Sequence, residues 1–453
     1  MDRKSQMRDV NDTATRIYDP RHSFSSRNKE IKGAESEMTR NGNIFSNLFL
    51  YIFYIHLLLI TVLVFFLTLR GVLSTIHTHH FHLKKWYAPV LSSTTCGGIV
   101  GFAWQAFTSI NPSRAVKTTF WLSPLLTCAF GILLVLIGTP GSLAASVIAI
   151  VSSLFQSLYA CWVTPRFDRT YRIVTVSIAH RPQKVKTTVL LSIITSTIYS
   201  SFLMSAIGGA TATGTKVDII SIFIILGSLT WTMQIIKNTM QVMVSHVKYM
   251  QFACGIEVDF KTIVKNTTKF SMGSICLGSI LVPLLLVIRS IARAISMVSG
   301  DVDEFMFSCA DCCKGFASSV VAYGNRWGFV QVGVYNKGIV QASMDTWDMF
   351  RRHGMEKLID SDLTSSFCFL SGVAVGSICG LVGGTWALVI HKKYATEVSV
   401  YTFLTGYFTS RVAMAWIQAS IAAYYVAYAE NPQSQQFDST MTDTIREIQR
   451  SQV

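Results

Sequence analysis

The stretch "SNLFLYIFYIHLLLITVLVFFLTL", Ser46 to Leu69, carries no formal charge. A helix rises about 1.5 Å per residue and the hydrocarbon layer of a bilayer is about 30 Å thick, so roughly 20 apolar residues cross it. This run meets that requirement unbroken, and it predicts a membrane-spanning helix. It is not a secretory signal: it lies well inside the chain, its apolar core is too long, and no small-residue cleavage site follows.

The same pattern recurs along the chain. Half of the 453 residues are hydrophobic and only 14% are charged, a composition that argues against a soluble protein. Ten spans are expected, at 46–69, 86–109, 116–137, 142–162, 187–209, 217–240, 268–290, 318–341, 363–390 and 398–427. The fold class is therefore an all-α polytopic membrane protein of about ten transmembrane helices. Residues 1–45 read as a disordered basic cytosolic tail, 46–427 as the membrane domain and 428–453 as a short polar cytosolic tail.

Charge decides orientation and excludes one function class. The formal charge of +14 invites nucleic acid as a partner, but the basic residues sit between apolar runs, where they orient spans and meet anionic headgroups. With the N-terminus inside, inner segments hold 26 of the 39 lysines and arginines, outer loops hold 9 and spans hold 4. That asymmetry predicts cytosolic N- and C-termini. The basic "THHFHLKKW" and the acidic loop near Asp301, Asp303 and Glu304 fit it less well.

Catalytic and metal chemistry find little support. No nucleophile elbow, HExxH, P-loop or paired-carboxylate motif occurs, so no enzyme and no cofactor are expected. The His77, His79, His80 and His82 run is short, and "SCADCC" around Cys309, Cys312 and Cys313 lacks a second CxxC pair; neither predicts a metal site. The cysteines inside apolar runs read as small buried hydrophobes.

Polarity inside the spans points to function instead, because an ionised or amide group in hydrocarbon needs a partner or a watery path. Lys237 and Asn238 lie in the sixth span, Arg326, Gln331, Asn336 and Lys337 in the eighth, and Arg411 and Gln418 in the tenth. Gly372, Gly376, Gly380 and Gly384 recur every four residues on one face of the ninth, which predicts close helix packing. Gly273, Gly278 and Pro283 of the seventh mark an expected kink or unwound turn. Carboxylates are nearly absent, Asp218 at one span edge excepted. Aromatic faces would then have to receive any cation, and a quaternary ammonium suits them.

Four blocks carry a resemblance: "NRWGFVQVGVYNKGIVQASMDTWDMF" (Asn325–Phe350), "WTMQIIKNTMQVMVSHV" (Trp231–Val247), "TTKFSMGSICLGSILVP" (Thr267–Pro283) and "FLTGYFTSRVAMAWIQASIAAYYVAYAENP" (Phe403–Pro432). In this order they resemble the choline transporter-like family, Pns1-type, in its plant or fungal branch. The first departs from the usual family pattern at Val340 and Gln341, where Phe or Cys is common. The resemblance implies ten spans, cytosolic termini and transport of choline or a related ethanolamine compound. It also implies a plasma-membrane location, with the trans-Golgi network or endosomes as the other compartment.

The expected function is alternating-access transport of a small organic cation through the bilayer, with no nucleic acid partner. The expected substrate site lies between the sixth, eighth and tenth spans: Trp231, Tyr335 and Tyr407 for the ammonium group, Asn238 and Gln331 for the hydroxyl. On a continuous eighth helix, Trp327, Gln331, Tyr335 and Gly338 would share one face. Asp345 to Asp348 would serve as a cytosolic gate or as a packing element. The alternative is a membrane-organising or trafficking protein that affects choline and lipid balance indirectly.

Overall fold

The computed structural model of the chain describes residues 20–78, 83–179, 183–213, 215–298, 322–432, 437 and 440–450. Every regular element among them is helical. In order they are α1 (Pro20–Thr78), α2 (Leu83–Ile110), α3 (Pro112–Ile137), α4 (Pro140–Val163), α5 (Phe167–Ile178), α6 (Gln183–Thr213), α7 (Lys216–Cys254), α8 (Phe260–Asn266), α9 (Met272–Val298), α10 (Gly328–Tyr335), α11 (Ile339–Arg352), α12 (Glu356–Asp360), α13 (Thr364–Ile390), α14 (Lys392–Ala413), α15 (Ala415–Glu430) and α16 (Thr440–Arg450). His79, His80, His82, Cys309, Cys312, Cys313 and the acidic loop at Asp301 to Glu304 lie outside the described residues, as does the polar tail before Pro20.

Seven described helical segments are long and apolar enough to cross a membrane, and the bent pair α14–α15 makes an eighth. Helix α2 has the length, 28 residues, but its serines, threonines and glycines make it less apolar. The chain is an integral, multi-pass, all-α membrane protein. Its outer surface confirms the solvent: Leu58, Phe65, Phe155, Leu158 and Phe223 stand exposed, as they would toward lipid. Buried hydroxyls satisfy themselves locally, as Thr119 does on the Ala115 carbonyl and Ser177 on that of Ile173.

Lipid supplies no hydrophobic drive between helices, so close backbone approach has to hold the bundle together. At the α1–α6 crossing a Cβ on Gly209 would stand 2.2 Å from the Leu67 carbonyl oxygen, and one on Gly71 2.4 Å from Gly209 Cα. At the α9–α1 crossing a Cβ on Gly273 would stand 2.5 Å from the Ser46 carbonyl oxygen. The glycine stripe of α13 packs α14 and α3: a Cβ on Gly376 would meet the Phe403 carbonyl at 2.8 Å, and one on Gly380 the Phe130 ring at 2.5 Å. Close packing is what the four-residue spacing led one to expect.

Helix α7 is the axis of the fold. Its 39 residues would extend about 58 Å, nearly twice the hydrocarbon thickness, so it continues past the membrane before Gly255 ends it in the left-handed conformation, φ 65°. The expected span 217–240 therefore stopped too early. From Ile235 to Tyr249 the helix is buried almost all round.

Two spans are interrupted. The eighth is broken: α10 has only 8 residues, Asn336 turns left-handed at φ 53°, and α11 starts at Ile339. Asn tolerates that conformation, and Gly338 follows in an extended conformation as the N-cap of α11. Gly338 thus leaves the face proposed for Trp327, Gln331 and Tyr335, and Trp327 stands just before α10 as its N-cap. Helix α10 enters the break from a buried stretch, Gly328 to Gly333, whereas the break itself is more open, with Asn336 exposed and Lys337 and Gly338 half-buried. The tenth span bends by 40° at Met414, between α14 and α15. No unwound turn occurs at Gly278 or Pro283, since α9 runs through both as one helix, and Gly278 admits Phe329 and Ile339. The departure from α geometry lies earlier, in the π turn Thr267–Ser271.

Candidate functional site

Three cations and one carboxylate gather where α7, α13, α14 and the start of α10 meet. Lys237 of α7, Arg326 before α10, Arg411 of α14 and Asp362 before α13 all lie within electrostatic range of the buried Cys368 thiol. Arg326 pairs with Asp362, and its guanidinium covers the Trp327 ring 4.6 Å from the centroid. Asp362 is saturated further by the Thr364 hydroxyl at 2.5 Å, the Thr364 N–H at 3.2 Å and the Tyr425 hydroxyl at 3.4 Å. One turn along α7 from Lys237, Gln241 donates to the Arg326 carbonyl at 2.9 Å and so fixes the approach to α10. Nη1 of Arg326 and both Nε and Nη1 of Arg411 are buried without a hydrogen-bond partner.

A second polar knot joins α7, α10 and α15. Tyr335 donates to Glu430 Oε1 at 2.8 Å, Tyr249 donates to Glu430 Oε2, and the two phenol oxygens lie 2.9 Å apart. Just past the break in the eighth span, Lys337 bonds Asp345 at 2.6 Å and lies 5.4 Å from the Tyr335 ring centroid. Asp345 therefore closes the α10–α11 junction locally.

The five expected binding residues fall in separate surroundings. Trp231 packs toward α1 and α9, with Phe53 at 5.4 Å and His56 at 4.9 Å between ring centroids, and its indole points at the Cys276 carbonyl at 3.5 Å. Asn238 donates to Ser279 Oγ of α9 at 2.9 Å. Gln331 is buried with its carbonyl oxygen unpaired, and its α10 neighbour Gly333 abuts the Val242 carbonyl of α7. Tyr335 belongs to the Glu430 knot. Tyr407 lies in the groove left by Gly372 and Gly376, alongside Arg411. The sixth, eighth and tenth spans do pack together, α10 and α14 both touching α7, but the five side chains form no single aromatic cage.

A carboxylate with aromatic company lies elsewhere, toward the opposite end of α14 from Arg411. Glu397, placed just outside the tenth span by the sequence boundary, is inside α14, which begins at Lys392. Its carboxylate interacts with the Thr211 hydroxyl and the Trp86 indole and feels the charge of Lys393 one turn earlier, while Oε2 makes no well-formed hydrogen bond. Tyr401 one turn later feels its charge. Trp86 is fully buried against Tyr87, whose hydroxyl holds the Ser205 carbonyl at 2.7 Å. Gly208 makes room for both rings: a Cβ there would stand 2.6 Å from Tyr87 and 2.8 Å from Trp86. The sequence signal was available, an acidic residue four before a tyrosine at a span edge, but its register depended on where the helix starts.

A cleft of about 560 Å³ opens between the end of α2, the end of α5 and the start of α6, with Phe102, Gln105, Lys186 and Trp416 in its walls. Trp416 donates to Gln105 Oε1 at 3.0 Å, which ties α15, immediately after the 40° bend, to α2.

Interrupted spans, buried polar atoms beside them and a lipid-facing exterior define the class: a polytopic all-α membrane protein. Residues 147–433 match the family model described as plasma-membrane choline transporter, and the chain belongs to that family. Among curated relatives, Protein PNS1 of Debaryomyces hansenii is 22% identical over 348 residues, covering 68% of this chain and 66% of the relative. Protein PNS1 of Mycosarcoma maydis is 20% identical over 363 residues, covering 74% and 68%. Protein PNS1 of Cryptococcus neoformans is 27% identical over 177 residues, covering 37% of this chain but only 32% of the relative's length.

Proposed function

We propose that this choline transporter-like protein moves a small organic cation, choline or an ethanolamine relative, across the membrane by alternating access. The observation that carries the reading is Glu397, a carboxylate beside Trp86, Tyr401 and Lys393 whose Oε2 makes no hydrogen bond. A quaternary ammonium ion offers no hydrogen bond to its partner, so it is held by opposite charge and by the negative faces of aromatic rings. Glu397 supplies the first, and Trp86, which is fully buried and meets the carboxylate through its N–H, and Tyr401 are the aromatic residues beside it. In this reading α14 links that end of the bundle to the interior, and the bend at Met414 and the break at Asn336 are where the path changes shape.

Gln331 and Tyr407 line the interior in this scheme, with Asn238 behind them; Trp231 and Tyr335 brace the helices that carry them. The lysine and arginine asymmetry favours cytosolic termini and places Glu397 at the outer end, which suits uptake through the plasma membrane. The interior cations oppose a passing ammonium, at roughly 1.7 kcal/mol per uncompensated charge 10 Å away with an effective dielectric of 20.

Purified protein in sealed proteoliposomes tests the reading. Tritiated choline uptake should exceed that of empty vesicles, and Glu397→Gln should lower kcat/KM at least tenfold while Glu397→Asp retains part of it. Uptake equal to empty vesicles with folded protein would leave the trafficking role as the better account. Undiminished uptake by Glu397→Gln would remove the site.

A further inference from the structure

The gathering around Cys368 has a surplus of positive charge that the described residues do not balance. Arginine does not release its proton in proteins, so Arg326 and Arg411 each keep a full charge. Among the described residues, Asp362 is the one carboxylate in the electrostatic surroundings of Cys368. Its Oδ2 takes Arg326 and its Oδ1 takes Thr364 and Tyr425, which leaves nothing for Arg411. Even a neutral Lys237 would leave one uncompensated positive charge, and a charged one leaves two. Lys237 is only 9% exposed and has no hydrogen-bond partner among the described residues. Buried charges need a counter-charge, since the interior replaces little of what water provided.

The unpaired atoms that carry charge are all donors; the neutral Oε1 atoms of Gln241 and Gln331, also buried without a partner, offer acceptors but no counter-charge. Arg411 Nε and Nη1 and Arg326 Nη1 are buried with no acceptor, and Lys237 approaches from α7 close enough to repel both guanidinium groups. Gly372 lets Arg411 reach in: a Cβ there would stand 3.1 Å from Arg411 Cδ, and Cys368 lies one turn earlier on the same face of α13. What the site lacks is a small negative acceptor. A protonated phosphate would bring a hydroxyl that itself needs an acceptor, and a carboxylate would bring a carbon chain. A halide needs donors alone.

We propose that Lys237, Arg326 and Arg411 bind one chloride-class anion inside the bundle. The anion neutralises the surplus, joins α7, α14 and the start of α10 across the broken spans, and lowers the barrier that the interior cations raise against a passing ammonium. Its binding does not depend on choline being the substrate.

The test reads stability, so it needs no transport. Purified full-length protein is melted in sodium gluconate, then in chloride, bromide or phosphate at constant ionic strength. Chloride and bromide should raise Tm by several degrees along a saturating curve, as a ligand of the folded state does, and phosphate should not. Lys237→Met and Arg411→Gln should each shift half-saturation at least tenfold to higher chloride. Where Arg411→Gln does not fold, Lys237→Met decides, and bromide located by anomalous scattering in the unmutated protein gives the independent readout. Equal Tm in gluconate, chloride and bromide overturns the proposal, as does stabilisation by phosphate alone or an unaltered chloride response in the folded variants. A chloride response without choline flux would refute only the substrate reading.

Discussion

Arg411 lies across Gly372. A methyl group on that glycine would stand 3.1 Å from Arg411 Cδ and 3.0 Å from Tyr407 Cδ2, closer than side-chain atoms ordinarily approach. Both neighbours are side chains, so they can yield by a few tenths of an ångström. Gly372→Ala should therefore fold, with a stability loss of about 1 kcal/mol, the low end for overpacking, but should displace the guanidinium. Thermal melting and a chloride titration of the same preparation check this: a modest fall in Tm with a clearly weakened chloride response is expected.

Gly209 faces a harder obstacle. The Leu67 carbonyl, 2.2 Å from a Cβ at that position, is backbone within α1 and cannot rotate away. Gly209→Ala should force α1 off α6 and cost roughly 1–3 kcal/mol or more. Gly227 has nothing within 4 Å of such a Cβ. Gly227→Ala should be neutral or stabilising by about 0.5–1 kcal/mol through helix propensity. Melting the two variants side by side separates a packing requirement from a general effect of adding a methyl group to a membrane helix.

The Arg326–Asp362 pair is buried, its side chains 13% and 3% exposed. Arg326→Ala strands the carboxylate and should cost about 3–5 kcal/mol, whereas replacing both partners by apolar residues should cost much less. Recovery in Arg326→Met with Asp362→Leu will be incomplete. Tyr425 and Thr364 lose their acceptor, at about 1 kcal/mol for each bond left unmade. Denaturation of the two single variants and the double variant forms a cycle. An Arg326→Ala protein as stable as the double variant would show that the pair contributes little.

Much of this architecture is legible in the chain because lipid is a severe solvent. A run such as Ser46–Leu69 has few alternatives, and a four-residue glycine spacing has few uses other than close packing. Arg326, Lys237 and Arg411 were recognisable as unusual for the same reason. What could not be read was who pairs with whom. Asp362 appeared as part of an inner loop, yet it folds back onto Arg326. Glu430 appeared as the end of a family motif, yet it takes the hydroxyls of Tyr249 and Tyr335. Glu397 was missed because a boundary drawn one residue late moved it out of the span. Trp231 looked available for a ligand, but Phe53 and His56 lie against its ring.

The sequence by itself determined the solvent, the helical class, the family and the places where helices must touch, because apolar length and small-residue period are local properties of the chain. Only the tertiary structure decided that the eighth span breaks at Asn336, that α7 runs on as a central axis, and that the buried charges of four elements converge on Cys368. Those outcomes depend on which helix faces meet, and electrostatic balance in a low-dielectric interior is a property of the assembled neighbours rather than of any one segment.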